Sequence, residues 1–254
     1  MRLTILGSNG PYAGPGGACS GYLLQGTDAT VLVDCGPGIM ASLQRHVNFR
    51  RLDAVIISHY HPDHYSDLLT ARYAYRHARS QGSLWGRVKL VLPGPGLESF
   101  LADAVGDSYL DLFDVVPIED GSEFSVGGMD FEFRRMEHVV PAFGATVRES
   151  GREPGRAGLG YTADTGLCDA LWDIARDSST LLAEAFMQES DQSGRAVGHL
   201  SARDAGMVAA KAGVARLILT HLHPENPLEV SLAEARAVFA GDIQVARIGA
   251  TYDL

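Results

Sequence analysis

Ser58-His59-Tyr60-His61-Pro62-Asp63-His64 follows directly on the apolar run Ala54-Val55-Ile56-Ile57 and sets four side chains of metal-ligand type within six positions. A buried strand delivers its exit to a fixed place, and a polar turn there can splay His59, His61, Asp63 and His64 toward two neighbouring points rather than one. The stretch therefore predicts two metal ions held at a strand exit. A histidine-rich surface turn has no use for ligands at this density.

The same arrangement repeats downstream. His138 follows Met129-Asp130-Phe131-Glu132-Phe133, Asp164 stands in Gly160-Tyr161-Thr162-Ala163-Asp164-Thr165-Gly166, and His221 follows Leu217-Ile218-Leu219-Thr220. A lone histidine at a strand end is ordinarily structural, but three ligand types at three strand ends, joined to the opening cluster, point to one assembled centre. Cys19, Cys35 and Cys168 are odd in number and include no CxxC pair, so the metal is expected on histidine and carboxylate, not sulfur.

Periodicity places strands at 2–7, 20–25, 29–34, 53–58, 88–92, 113–118, 129–138, 143–148, 157–163, 180–186, 217–220 and 243–247. Helices are expected at 38–47, 65–80, 97–105, 168–176, 201–212 and 231–240. Mixed β structure followed by βα alternation in both halves predicts a four-layer αββα sandwich, read as one domain over 1–254. The glycine- and proline-rich stretch 8–20 either lines a site or is a plain connector. Ser201 and Asp204 form a capping pattern and Gly213 closes that helix, which puts His199 just ahead of a helix N-terminus whose dipole would favour an anionic substrate if it faces the metals.

No apolar stretch reaches the length of a membrane span, and Met1 to Gly7 does not read as a signal peptide, so no membrane partner and a cytoplasmic location are expected. The formal net charge is −10, with basic residues clustered no further than pairs such as Arg50-Arg51 and Arg134-Arg135. A large nucleic acid is accordingly not expected as the main partner.

Asp34 in Val31-Leu32-Val33-Asp34-Cys35-Gly36-Pro37-Gly38, the HxHxDH of 59–64, His138, Asp164 and His221 resemble, in order and across nearly the whole chain, the five motifs of the metallo-β-lactamase fold superfamily. The resemblance implies that His59, His61 and His138 bind one divalent metal, that Asp63, His64 and His221 bind a second, and that Asp164 bridges them. Asp34 would support the ligand loop from behind. Imidazole-rich ligation suggests zinc, with manganese or iron as alternatives.

Within the superfamily, Tyr161-Thr162-Ala163-Asp164-Thr165-Gly166, the strand Leu181-Leu182-Ala183-Glu184-Ala185-Phe186 and Gly198-His199-Leu200-Ser201 resemble the ribonuclease Z-like phosphodiesterase branch, especially its bacterial cyclic-nucleotide phosphodiesterases. That likeness implies hydrolysis of a small phosphodiester such as 3′,5′-cyclic AMP by a hydroxide held between the metals, with Asp63 orienting or deprotonating it. His199 would stabilise or protonate the leaving oxygen. Glu184 orients His199 or a metal ligand, or else satisfies the core. Only 25 residues separate His138 from Asp164, which leaves little room for the long arm of the tRNA-processing enzymes. The rival readings are a nuclease on short RNA or DNA, a lactonase- or glyoxalase-like ester or thioester hydrolase, and a non-catalytic metal-binding regulator. Branch relatives are commonly homodimers, so a homodimer is expected. His223 is read as exposed or capping, and Tyr65, Tyr73, Tyr75 and Trp85 either wall a base pocket or serve the core.

Overall fold

Alternation decides the strands. In Met129–Met136 the side chains of Met129, Phe131 and Phe133 are buried between the sheets while Asp130, Glu132 and Arg134 are half-exposed, as a pleated strand with one covered face requires. The computed structural model describes residues 1–84, 86–102, 111–150, 155–191 and 198–254.

Among the described residues, fourteen strands form two seven-stranded sheets. The first contains β1 (Arg2–Gly7), β2 (Gly21–Gln25), β3 (Thr30–Val33), β4 (Ala54–Ile56), β5 (Val88–Pro93) and β6 (Phe113–Ile118), with β14 (Thr251–Asp253) returning to pair with β1 at its edge. The second contains β7 (Glu123–Val126), β8 (Met129–Met136), β9 (Ala142–Glu149), β10 (Ala157–Tyr161), β11 (Ser178–Glu184), β12 (Arg216–Thr220) and β13 (Asp242–Val245). Both sheets follow one plan. From β14 to β3 and from β7 to β10 neighbours are antiparallel; from β3 to β6 and from β10 to β13 they are parallel.

Parallel strands buried on both faces read as continuous apolar runs, and here they divide their side chains between two cores. In β11, Leu182 joins the cluster between the sheets with Leu24, Phe131, Phe133, Tyr161 and Ile218, while Leu181 and Ala183 face the outer helices. On the first sheet's outer face lie α1 (Ile39–Leu43), α2 (Pro62–Ser80) and α3 (Leu97–Phe100). On the second lie α4 (Asp169–Arg176), α5 (Ala202–Ala212) and α6 (Leu228–Arg236). The layers are therefore α, β, β, α, as expected. No helix among the described residues is long and apolar enough to cross a membrane.

The local departures have physical causes. Helix α2 begins at Pro62, not at 65, because proline suits the first helical turn, where its missing N–H removes no bond; Asp63 and His64 thus ride on a helix. Helix α1 stops at Leu43, where Arg45 and His46 donate to the carbonyls three residues back and tighten the chain into a turn. The strand expected over 129–138 ends at Met136, leaving His138 in a bend. The short edge strands β7 and β14 carry too few residues to show a period. The helix expected over 97–105 is described as far as Leu97–Phe100, and 103–105 lie outside the described residues.

Leu182 is fully buried between the sheets. Leu182→Ala is expected to lower unfolding free energy by about 2–5 kcal/mol, read as a lower urea midpoint at unchanged slope.

Candidate metal centre

The parallel halves of both sheets end at one edge of the sandwich, where ligands gather in sheets of this kind. Asp34 follows β3, His59 follows β4, Asp164 follows β10, Glu184 ends β11 and His221 follows β12. Three non-glycine residues among those described have positive φ: Asp34 at 57°, Ala163 at 50° and His221 at 49°. All three lie at these strand exits. A left-handed residue costs about 1–2 kcal/mol, and such strain persists where the surroundings over-determine it, commonly at sites.

The seven expected ligands converge. His59, His61, His138 and Asp164 offer ligand atoms all within 4.8 Å of one another, and so do Asp63, His64 and His221. Asp164 touches both groups: its Oδ2 lies 3.6 Å from His59 Nε2 and 3.3 Å from His221 Nε2, and its Oδ1 lies 3.3 Å from His64 Nε2. His221 Nε2 is 3.1 Å from Asp63 Oδ2, and His138 Nε2 is 3.1 Å from His61 Nδ1. His59, His64, Asp164 and His221 are buried, whereas His61 and His138 are half-buried and mark the open side.

Hydrogen bonds behind the imidazoles set their tautomers. Asp34, without exposure, accepts from Ser58 N (2.8 Å), Ser58 Oγ (2.9 Å), His64 Nδ1 (2.8 Å) and Tyr161 Oη (2.6 Å). Because the Ser58 hydroxyl proton goes to Asp34, its oxygen accepts from His59 Nδ1 at 3.0 Å. His138 Nδ1 donates to the carbonyl of Gly198 at 3.0 Å. In each case Nδ1 is engaged outward and Nε2 faces the centre, the orientation a metal ligand needs.

The charges are interlocked. Burial pushes His59 well down, with His64 adding to the effect, and burial likewise lowers His61 and His138. Burial alone would raise Asp63, but His221 and His64 hold it below the usual carboxylate range. Asp164 is likewise opposed by burial and is held well down by His221, His64 and His59.

His199 joins this set from the loop before α5. Its Nδ1 donates to Glu184 Oε1 at 2.9 Å; burial opposes protonation, yet Glu184 outweighs it and lifts the imidazole to about 9. Glu184 also accepts from the backbone N–H groups of Thr165 (2.8 Å) and Phe186 (3.2 Å), so one carboxylate positions His199 and the loop after Asp164. The ring of His199 lies 5.0 Å from that of His138 and 5.6 Å from that of His221, over the seam of the two groups.

The glycine-rich stretch 8–20 lies against the centre. Gly10 N donates to Leu222 O at 3.2 Å, and a Cβ at Gly10 would overlap the His221 ring, so only glycine lets the chain pass. The N-terminus of α5 behaves otherwise than the dipole argument requires. Ser201 and Asp204 form a reciprocal capping box, and Ala202 N donates to Met187 O, so much of that helix end is satisfied from within the chain. Tyr75 is buried in the core beside Phe49, Tyr65 packs on the same core cluster and Tyr73 is exposed, so these three do not wall the centre; Trp85 lies outside the described residues. The aromatic neighbour that does approach it is Phe186, 4.6 Å from the His199 ring and 5.8 Å from that of His221, with Tyr12 further out against His223. Sequence spacing carries no sign of either, since each arrives from a loop on a different element.

Buried polar atoms without partners test whether these residues suit cations. His59 Nε2, His64 Nε2, Asp164 Oδ1 and His221 Nδ1 are enclosed with no hydrogen-bond partner among the described residues. Such atoms cost about 1–3 kcal/mol each if left so, and crowded lone pairs of nitrogen and carboxylate oxygen are what a divalent ion accepts. The donor set fits.

Residues 29–222 match the family model described as "Beta-lactamase superfamily domain". An uncharacterized protein of Mycobacterium tuberculosis is 34% identical, over 100% of this chain and 92% of that protein. The probable metallo-hydrolase YhfI of Bacillus subtilis is 28% identical over 100% of both chains. Its crystal structure superposes with a TM-score of 0.89, covering 99% of this chain and 98% of YhfI. Ribonuclease Z of Salinispora arenicola is 27% identical over 89% of this chain and 87% of that enzyme.

Asp34 supplies the centre's firmest prediction. Asp34→Ala would leave four buried donors unpaired, and a loss of about 3–5 kcal/mol in unfolding free energy is expected by denaturant titration, with Asp34→Asn losing less.

Proposed function

The chain belongs to the metallo-β-lactamase fold superfamily, as a metal-dependent hydrolase of the ribonuclease Z-like branch, and on that premise we propose that it is a dinuclear phosphodiesterase acting on a small phosphodiester, with a 3′,5′-cyclic nucleotide such as cyclic AMP as the preferred substrate. His59, His61 and His138 would hold one divalent ion, Asp63, His64 and His221 the other, with Asp164 shared. Nitrogen-rich ligation with two carboxylates suits zinc, and manganese and iron are accommodated by the same donors. When bound, the ions supply Lewis acidity toward the phosphoryl oxygens and lower the pKa of water.

The observation that carries the phosphodiester reading is His199 on Glu184. An imidazole held toward its protonated form, ring-stacked on His221 and half-open to solvent, can neutralise an anionic oxygen and deliver a proton to a leaving one. Asp63, on the first turn of α2, is the carboxylate that would orient or deprotonate an attacking water. Substrate size follows from charge: a net −10 works against a polyanionic strand and leaves a compact monoanion as the better fit. The homodimer expected from the resemblance is part of the proposal and is read by light scattering.

The test is a panel of cyclic nucleotides, single-stranded oligonucleotides, lactones and thioesters with the metal-loaded protein. Cyclic nucleotide turnover, abolished by a chelator and restored by zinc or manganese, is expected; turnover of lactone or thioester with none of any phosphodiester contradicts the proposal. His199→Ala is expected to lower kcat about 100- to 10,000-fold at unchanged metal content. Loss of metal in that variant would instead make His199 a ligand, the alternative raised by its proximity to Asp164 and His221.

A further inference from the structure

A row of rings runs from the metal centre to the surface. Centroids are 5.0 Å apart between His138 and His199, 4.6 Å between His199 and Phe186, 5.3 Å between Phe186 and His223, and 5.6 Å between His223 and Tyr12. Exposure grows along it: His199 and Phe186 are half-buried, and Tyr12 is 45% exposed. We propose that Phe186, His223 and Tyr12 form the subsite for a planar aromatic group of the substrate, which on the phosphodiesterase reading above is the nucleobase.

Each of the three residues is anchored by hydrogen bonds. Phe186 is pinned through both backbone groups, its N–H on Glu184 Oε2 (3.2 Å) and its carbonyl accepting from Asn226 Nδ2 (3.2 Å). His223 Nδ1 accepts from Glu225 N at 3.3 Å, and the Tyr12 hydroxyl donates to Glu225 Oε1 at 2.6 Å. The loop carrying Tyr12 is fixed by Gly10 and Asn9, which both bond to the carbonyl of Leu222. A large aromatic left near half-exposed yet anchored at its far end does little for the core; a rigid π surface beside a phosphate site is what a base stacks on. The charge present is also selective. Glu225 stands at the outer end of the row, its carboxylate on the Tyr12 hydroxyl. A second phosphate is disfavoured there and an uncharged plane is not.

The experiment compares binding of adenosine 5′-monophosphate and ribose 5-phosphate to the metal-loaded protein by calorimetry, so that the shared phosphate affinity cancels in the ratio. The nucleotide is expected to bind more tightly by about 5- to 150-fold, the range for stacking one base. Tyr12→Ala, in an exposed loop, and Phe186→Leu, which keeps apolar bulk against His199, are each expected to bring the ratio toward one. A ratio near one in the unsubstituted protein, or a ratio unmoved by both substitutions, overturns the subsite. So does a change in oligomeric state on Tyr12→Ala with the ratio intact, which would make Tyr12 a contact between copies. Since binding is read directly, these results are distinct from absence of phosphodiester turnover, which is the failure of the functional reading itself.

Discussion

The carboxylate of Asp34 is the contact on which the centre depends. Buried completely, it accepts from a backbone N–H and a hydroxyl of Ser58, from His64 and from Tyr161, and so ties β3, the exit of β4, the first turn of α2 and the end of β10 into one knot. Tyr161 reaches it from the opposite sheet. A second tie across the sheets, Tyr22 Oη to Thr220 Oγ1 at 2.8 Å, sits just before His221, and Phe143 N donates to Ser58 O at 3.0 Å. The two sheets are therefore held in register by polar contacts at the very edge where their ligands meet, while the apolar cluster between them supplies the bulk of the stability.

Such an arrangement is costly without a cation. Imidazoles and carboxylates enclosed together either pair with one another or leave atoms unsatisfied, and both occur here: His221 lies against Asp63 and Asp164, while His59 Nε2 and His64 Nε2 lie near Asp164 without a hydrogen-bond partner among the described residues. The positive φ of Asp34, Ala163 and His221 adds strain at the same strand exits. A folded chain tolerates this where outer partners hold each side chain, as Ser58, Gly198 and Glu184 do for His59, His138 and His199.

Much of this was legible in the sequence, for reasons that are physical. HxHxDH after an apolar run needs only a strand exit to be read, and the later candidate ligands announce themselves by sitting shortly past further apolar runs. The αββα layering follows from the order of strands and helices. What escaped is set by tertiary contact. Pro62 starts α2 inside the ligand motif, an effect of helix N-terminal chemistry on a segment that reads as a turn. Gly10 is required by the ring of His221, a residue distant in the chain. Phe186 and Tyr12 each reach His223 through loops whose approach no periodicity encodes, whereas Tyr75, attractive as a pocket wall, is claimed by the core.

The central claim is that the interlocked histidines and aspartates are two adjoining cation sites sharing Asp164. Anomalous scattering from zinc-loaded crystals, collected on either side of the zinc absorption edge, tests it most directly. Two peaks are predicted, one among His59, His61 and His138 and one among Asp63, His64 and His221, with Asp164 touching both and His199 touching neither. A single peak, or an ion ligated by His199 in place of one of these groups, would contradict it.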